Sequence, residues 1–241
     1  MNCKTCTYRC ECPSDVIDPD PTGNVIDLID LILCSRPPIC CYAKSKGMLV
    51  GARSDHSQQL SCCKPEFIDF NFHKPNVRRH LAVVKEMRPK YCVAPDVLDA
   101  ADLPKVLDIA EQLSEYASNV IVVPHVSGLV YKIPGEYIIG YSVPTSYGAA
   151  EIFLWELQGR RVHLLGGTPR RQYELRLYIP GVVSIDGNAY IKAAQFGEYV
   201  GADLKFKKDC KHKGIDMIDL VKKSIDNITC FWREEAKLGN A

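Results

Sequence analysis

Short apolar runs recur along the chain from Val25 onward: Ile29 to Cys34, Met48 to Ala52, Phe67 to Phe72, Tyr91 to Ala94, Val120 to Val123, Tyr137 to Ile139, Val162 to Leu165 and Val182 to Ile185. Several are rich in Val and Ile, and each is closed within two residues by Pro, Gly, Asp, Ser or His. Continuous short runs, rather than apolar–polar alternation, are the pattern of strands buried on both faces, as in a parallel sheet. Helical spacing fits between the later runs. Leu103, Val106, Leu107, Ala110, Leu113 and Ala117 predict a helix over Leu103 to Tyr116, and Val77 to Met87 predicts another that Pro89 ends. Ile152, Phe153 and Leu157 predict a helix over Ala149 to Gln158, and Ile218, Val221, Ile225 and Ile228 predict a last one over Ile215 to Trp232.

Eight such runs with helices between them predict an α/β chain folded as a compact TIM-type (β/α)8 barrel. The rival is an open doubly wound sheet, weakened because no G-x-G-x-x-G follows the first run. Residues 1–24 read as a polar, Cys-rich lead-in and 25–200 as the catalytic barrel. Residues 201–241 read as a basic segment and a closing helix of the same domain, packed across the barrel or docking a partner.

Composition narrows the class. With 241 residues, 46% hydrophobic and 24% charged, this is an ordinary globular composition, which excludes a wholly disordered, collagenous or coiled-coil chain. No run approaches the length of a membrane span, and the N-terminus lacks the apolar core of a secretory signal. Twelve cysteines fall in irregular clusters that favour free thiols in a reducing cytoplasm. The net charge of +1 points to no partner, but its distribution does. Six basic residues against one acid lie between Asn71 and Lys90, and five against one between Gly159 and Arg176. These are either solvated helix faces or patches for a polyanion, with Arg78, Arg79, Arg170 and Arg171 as the backbone-contacting candidates.

In a parallel barrel, chemistry sits where strands end. Three carboxylates occupy such ends: Asp69 inside Phe-Ile-Asp-Phe, Asp96 after Val-Ala-Pro, and Asp186 before Gly-Asn. Sharing one mouth, they could not all stay charged and unpaired without cost. The plain alternatives are a helix cap for Asp96 and a turn for Asp186. His125 follows Val-Pro at another strand end, as a core or a site histidine, while His163 reads as structural. Gly166-Gly167 before Thr-Pro suits either a tight turn or close backbone approach to a ligand. Cys3, Cys6, Cys10 and Cys12 offer four soft ligands for a structural zinc, and Cys210, His212 and Cys230 offer a weaker set. The pairs Cys40-Cys41 and Cys62-Cys63 are poor disulfides. No triad order, P-loop or H-E-x-x-H is present.

Arg88-Pro-Lys-Tyr-Cys-Val-Ala-Pro-Asp96, Tyr137-Ile-Ile-Gly-Tyr-Ser-Val-Pro-Thr145, Val162-His-Leu-Leu-Gly-Gly167 and Val183-Ser-Ile-Asp-Gly-Asn188 together resemble the tRNA-guanine transglycosylase superfamily. The resemblance, over about Phe67 to Gly197, is nearest to its compact DNA-acting branch of phage and bacterial enzymes, which insert 7-deazaguanine bases into DNA. It implies that Asp186 is the nucleophile attacking C1′, that Asp69 is the general acid/base and that Asp96 recognises the base. His125 stands where the family has a glutamine, and main-chain base contacts would fall on Gly140 and Tyr141, with Gly166 and Gly167 beside them. Two departures matter. The zinc subdomain of the tRNA enzymes is missing after the barrel, and Asp69 lacks the family's following Ser-Gly-Gly. The resemblance implies no catalytic metal or cofactor, DNA or else tRNA as partner, a 7-deazaguanine base of the preQ0 type as co-substrate, and a cytoplasmic setting (the host's, for a phage-borne chain). The competing expectations are a tRNA enzyme or a glycosidase of this fold, and a non-catalytic nucleic-acid-binding subunit. Asp69 and Asp186 facing one pocket would favour a catalyst.

Overall fold

The computed structural model describes residues 29–60, 63–144, 151–208 and 216–238. Eight strands, β1 (Asp30–Cys34), β2 (Leu49–Arg53), β3 (Phe67–Asp69), β4 (Tyr91–Val93), β5 (Asn119–Val122), β6 (Ile138–Ser142), β7 (Val162–Leu165) and β8 (Val182–Asp186), pair in sequence order into a closed parallel barrel. β8 returns to β1 with Asp30, Leu31 and Ile32 opposite Ser184, Ile185 and Asp186. The chain is therefore a TIM-type (β/α)8 barrel, and the open-sheet alternative is excluded.

Closure explains why the runs are apolar throughout. Leu31, Leu33, Ile68, Cys92, Val120, Val122, Ile139 and Leu164 pack outward under the helices, while Ile32, Phe67, Tyr91, Val93, Ile121, Val123 and Ile138 fill the barrel itself. Side chains on one strand alternate between these two cores, and neither core faces water. At the bottom, the Tyr91 hydroxyl donates to Asp30 at 2.6 Å.

The outer layer comprises α1 (Ile39–Ser45), α2 (Ser57–Leu60), α3 (Val77–Met87), α4 (Leu103–Ser114), α5 (Pro169–Tyr178), α6 (Ala189–Ala194) and α7 (Met217–Leu238). α3 has the predicted bounds: the Asn76 side chain accepts the Arg79 N–H at 2.9 Å, and a left-handed Arg88 ends it before Pro89. α4 buries Leu103, Val106, Ala110 and Leu113 as its spacing requires.

Two expectations need correction. The helix expected over Ala149 to Gln158 is, among the described residues, only a 3-10 turn over Leu154–Leu157. Glu156 is buried and accepts from Ser127 Oγ (2.9 Å), the Gly128 N–H (2.6 Å) and the Phe153 N–H (3.1 Å). Burial alone would raise its pKa, but these bonds hold it below the usual range. Keeping them requires an extended Phe153, so a longer helix cannot start there. The closing helix α7 does not cross the barrel; it lies on the outer layer against α1, α6 and a hairpin of β9 (Glu198–Val200) and β10 (Phe206–Lys208). Tyr42 of α1 and Lys46 just past its end both bond Asp226, and Ser224 and Asn227 satisfy the Val200 backbone. The lead-in 1–24 lies outside the described residues. No helix among them is long and apolar enough to cross a membrane.

The narrow interior makes demands of its own. A Cβ on Gly51 would collide with Cys34 Sγ and lie 3.0 Å from Phe67 Cδ1. One on Gly140 would sit 2.6 Å from Val123 Cγ2 and 2.9 Å from both Ile121 and Leu165. Gly140→Ala is expected to lower stability by about 1–3 kcal/mol through overpacking. Urea unfolding of the variant against the parent checks this, and an unchanged midpoint would mean the barrel has slack there.

Candidate active site

Because all eight strands run the same way, their C-terminal ends form one mouth. Asp69 ends β3 two residues after inward-facing Phe67, so strand alternation turns its carboxyl inward as well. Asp186 ends β8 two residues after Ser184 by the same rule. Asp96 and His125 follow β4 and β5, where an isolated bridge between Val97 and Pro124 carries the pairing past the strands. Asp69, Asp96, His125, Gly166, Gly167 and Asp186 therefore meet at one mouth, on elements set by the barrel rather than by neighbours in sequence.

Asp69 carries the strongest electrostatic signature. Burial first, then the nearby Asp186 carboxylate and, less, Asp96, push its pKa up to about 8, against a backbone hydrogen bond from Phe70 and the Arg53 charge. At neutral pH it is a carboxylic acid and can donate a proton. Asp186 is held from several sides: its Oδ1 accepts the Gly166 N–H at 3.0 Å and lies 3.6 Å from His163 Nε2. His163 is fully buried, stacks on Phe67 with centroids 5.4 Å apart and shares a 2.8 Å hydrogen bond between Nδ1 and Ser184 Oγ. Its Nε2 has no hydrogen-bond partner among the described residues. The histidine expected to be structural is thus a rigid neighbour of Asp186.

The glycine pair has a mechanical role. Gly166 and Gly167 both take positive φ, 68° and 81°, which turns the chain sharply into Thr168, the N-cap of α5. Gln172 on α5 then donates to Gly166 O (2.8 Å) and Asp186 O (2.6 Å), binding the β7 and β8 loops together.

Asp96 is not the cap of the following helix. Asp99 caps the 3-10 turn that leads into α4, accepting the Ala101 N–H at 2.8 Å, and Asp96 faces His125, with Oδ2 3.1 Å from Nε2. Both side chains remain about a fifth to a quarter exposed at the mouth. Gly140 and Tyr141, expected to act through their main chain, lie on β6. Gly140 lies within the barrel opposite His163, and the Tyr141 side chain is buried in the outer core, so only its main chain could face a ligand.

Sequence reasoning missed two groups here. Cys34, at the end of β1, sits over Gly51; burial, then Asp186 and Asp69, push its thiol pKa up, so it stays neutral. Only the register of β1 against β2 and β8 shows that this cysteine points inward. Beside it, Arg53 grips Asp55 with two guanidinium hydrogen bonds, and Asn71 donates to the same carboxylate at 2.7 Å. Arg36 donates to His56 Nε2 at 3.2 Å, and Arg79 reaches the backbone carbonyls of Ser54 and Asp55 at 3.2 Å each. With exposed Arg78, these cations rim the β1–β3 side of the mouth. Arg170 and Arg171, on the first turn of α5, both pair with Glu174 (3.1 and 3.5 Å), which offsets their charge. Tyr131, Trp155 and Phe153 form an exposed aromatic row, with centroids 6.3 and 5.8 Å apart, that no apolar periodicity would single out.

The Sγ atoms of Cys40 and Cys41 on α1 and of Cys63 after α2 lie within 4.8 Å of one another, a set that could hold a metal ion. The expected ligands Cys3, Cys6, Cys10 and Cys12, and Cys210 and His212, lie outside the described residues. Cys230 is exposed on α7.

Residues 43–233 match DUF6610, a family of unknown function, and the chain belongs to that family. No curated protein matches it.

A partly buried acid with a raised pKa makes stability depend on pH. Between its ordinary value of 3.8 and about 8, Asp69 in the folded chain keeps a proton that the unfolded chain has released. Stability therefore falls as pH rises through that window and levels off above it. Asp69→Asn should abolish this component. Urea unfolding at about pH 5 and about pH 9 tests it: the variant's loss across the window should be clearly smaller than the parent's, and equal losses would mean Asp69 is not the group responsible.

Proposed function

We propose that this member of the DUF6610 family is a base-exchange glycosyltransferase that replaces guanine in DNA with a 7-deazaguanine base of the preQ0 type, through a covalent aspartyl-deoxyribosyl intermediate. The observation that carries the reading is the asymmetry of two carboxyls at one barrel mouth. Asp69 is pushed up to about 8, whereas Asp186 is held by the Gly166 N–H. Retaining glycosyl chemistry needs such a pair, one group to attack the anomeric carbon and one to move the proton.

In the proposed sequence, Asp186 attacks C1′ of the extruded nucleotide while the C1′–N9 bond breaks. Asp69 gives its proton to the departing guanine, which leaves neutral. The deazaguanine then enters, Asp69 takes the proton from its N9, and N9 attacks C1′ to release the Asp186 carboxylate. His163, 3.6 Å from Asp186, fixes where the nucleophile stands. Asp96 is placed to accept from the N1–H and 2-amino group of a guanine-like ring, with His125 holding its other side. Extruding the nucleotide costs a few kcal/mol of unstacking. The cations of the β1–β3 rim, including Arg78 and Arg79, would meet the phosphates, and the Tyr131–Trp155–Phe153 row offers faces on which unpaired bases stack. The chemistry rests on carboxylates and assigns no catalytic metal.

Asp186→Asn preserves size but removes the nucleophile. Incubation with guanine-containing DNA, denaturing electrophoresis and mass mapping should show an adduct at Asp186 in the parent and none in the variant, with base exchange reduced by orders of magnitude. Asp69→Asn should slow both steps yet leave some adduct. In the parent, adduct formation should decline as pH rises past about 8, where Asp69 loses its proton. A full-strength adduct with Asp186→Asn, or one mapped elsewhere, overturns the assignment.

A further inference from the structure

The cysteine cluster joins the start of α1 to the connection between α2 and β3. Cys40 and Cys41 open α1, directly after the loop that leaves β1, and Cys63 follows α2 in the connection from β2 to β3. The Cys41 and Cys63 sulfurs are 3.7 Å apart and those of Cys40 and Cys41 4.0 Å apart. These separations are far too long for a disulfide, whose sulfurs lie about 2.05 Å apart. They match the sulfurs of a tetrahedral thiolate site, where Zn–S bonds of about 2.3 Å set S···S near 3.8 Å. Cys40 is buried and the other two are partly so, which suits a closed structural site.

We propose that Cys40, Cys41 and Cys63 bind a zinc-class soft cation as three thiolates, tying the start of α1 to the segment that follows α2. The argument stands on sulfur chemistry and geometry, and holds whether or not the enzyme exchanges bases. Three thiolates packed this closely would repel one another, and a cation removes that repulsion while releasing three protons. A fourth ligand, such as a water molecule, completes the tetrahedron. The consequence reaches the mouth because Arg36 lies just before α1 and His56 just before α2, and the two bond at 3.2 Å. Holding these segments together holds that cationic pair in place.

The test uses the full chain purified under reducing conditions. Elemental analysis should find about one zinc-class ion per chain. Thiol alkylation with mass mapping should show Cys40, Cys41 and Cys63 protected until a chelator is added, while exposed Cys230 reacts throughout. Chelation should also speed amide exchange in the two segments, a change that metal lodged elsewhere would not produce. Cys63→Ser should lose the metal and Cys230→Ser should keep it. If Cys63→Ser fails to fold, the protection pattern of the parent still decides. Metal retained in Cys63→Ser, metal lost only when Cys3, Cys6, Cys10 and Cys12 are changed to Ser, or thiols of the cluster that react fully before chelation would each overturn the proposal. So would a Cys41–Cys63 disulfide in place of bound metal.

Discussion

Closing eight short strands on themselves leaves an interior only wide enough for side chains, and most features of this protein follow from that limit. Gly51 and Gly140 face inward because there is no room for a methyl group beside Cys34, Phe67, Val123 and Leu165. The same confinement decides the electrostatics. Asp69 and Asp186 point inward by strand alternation, so they are crowded together and shielded from water. The cheapest response is for one of them to keep its proton. Asp69 does so, and a site with an acid and a carboxylate results without any special device at either residue.

What distinguishes the two acids is their support. Asp186 is tied to the β7 loop by the Gly166 N–H, and both loops are bound by Gln172, while the His163 ring fills the space beneath. Among the described residues, Asp69 has a backbone bond from Phe70 and the charge of Arg53, which is already engaged with Asp55. A fixed group beside a proton-holding group is an arrangement suited to attack and proton transfer at adjacent atoms of one substrate. The outer parts of the mouth then divide by chemistry: cations toward β1–β3, the Asp96–His125 pair across β4 and β5, and the glycine turn at β7.

The sulfur cluster adds a second kind of order. Barrel strands are held by their ladder, but the loops above them are not, and residues such as Arg36 and His56 are only as well placed as their loops. A thiolate-bound cation between α1 and the end of α2 would supply that restraint at the side of the mouth where α2 is a single turn.

Much of the fold was legible along the chain because parallel strands buried on both faces write themselves as uninterrupted apolar runs, and all eight runs became strands. α3 and α4 were legible through spacing and caps. The short helices α1 and α6 and the β9–β10 hairpin were not, because each is too brief to show a period. The helix expected at Ala149 to Gln158 failed for a different reason: one buried carboxylate, Glu156, bonds to Ser127 and Gly128 far back in sequence and overrides local preference. The sequence by itself determined that Asp69 and Asp186 end strands and that Asp96 and His125 follow closely on theirs, since that depends only on where apolar runs stop. Tertiary structure alone decided which of them face each other, which acid keeps its proton, that Cys34 and His163 stand beside them, and that cysteines 22 residues apart meet at 3.7 Å. Those outcomes depend on register, closure and desolvation, which arise between strands and have no local trace in any one of them.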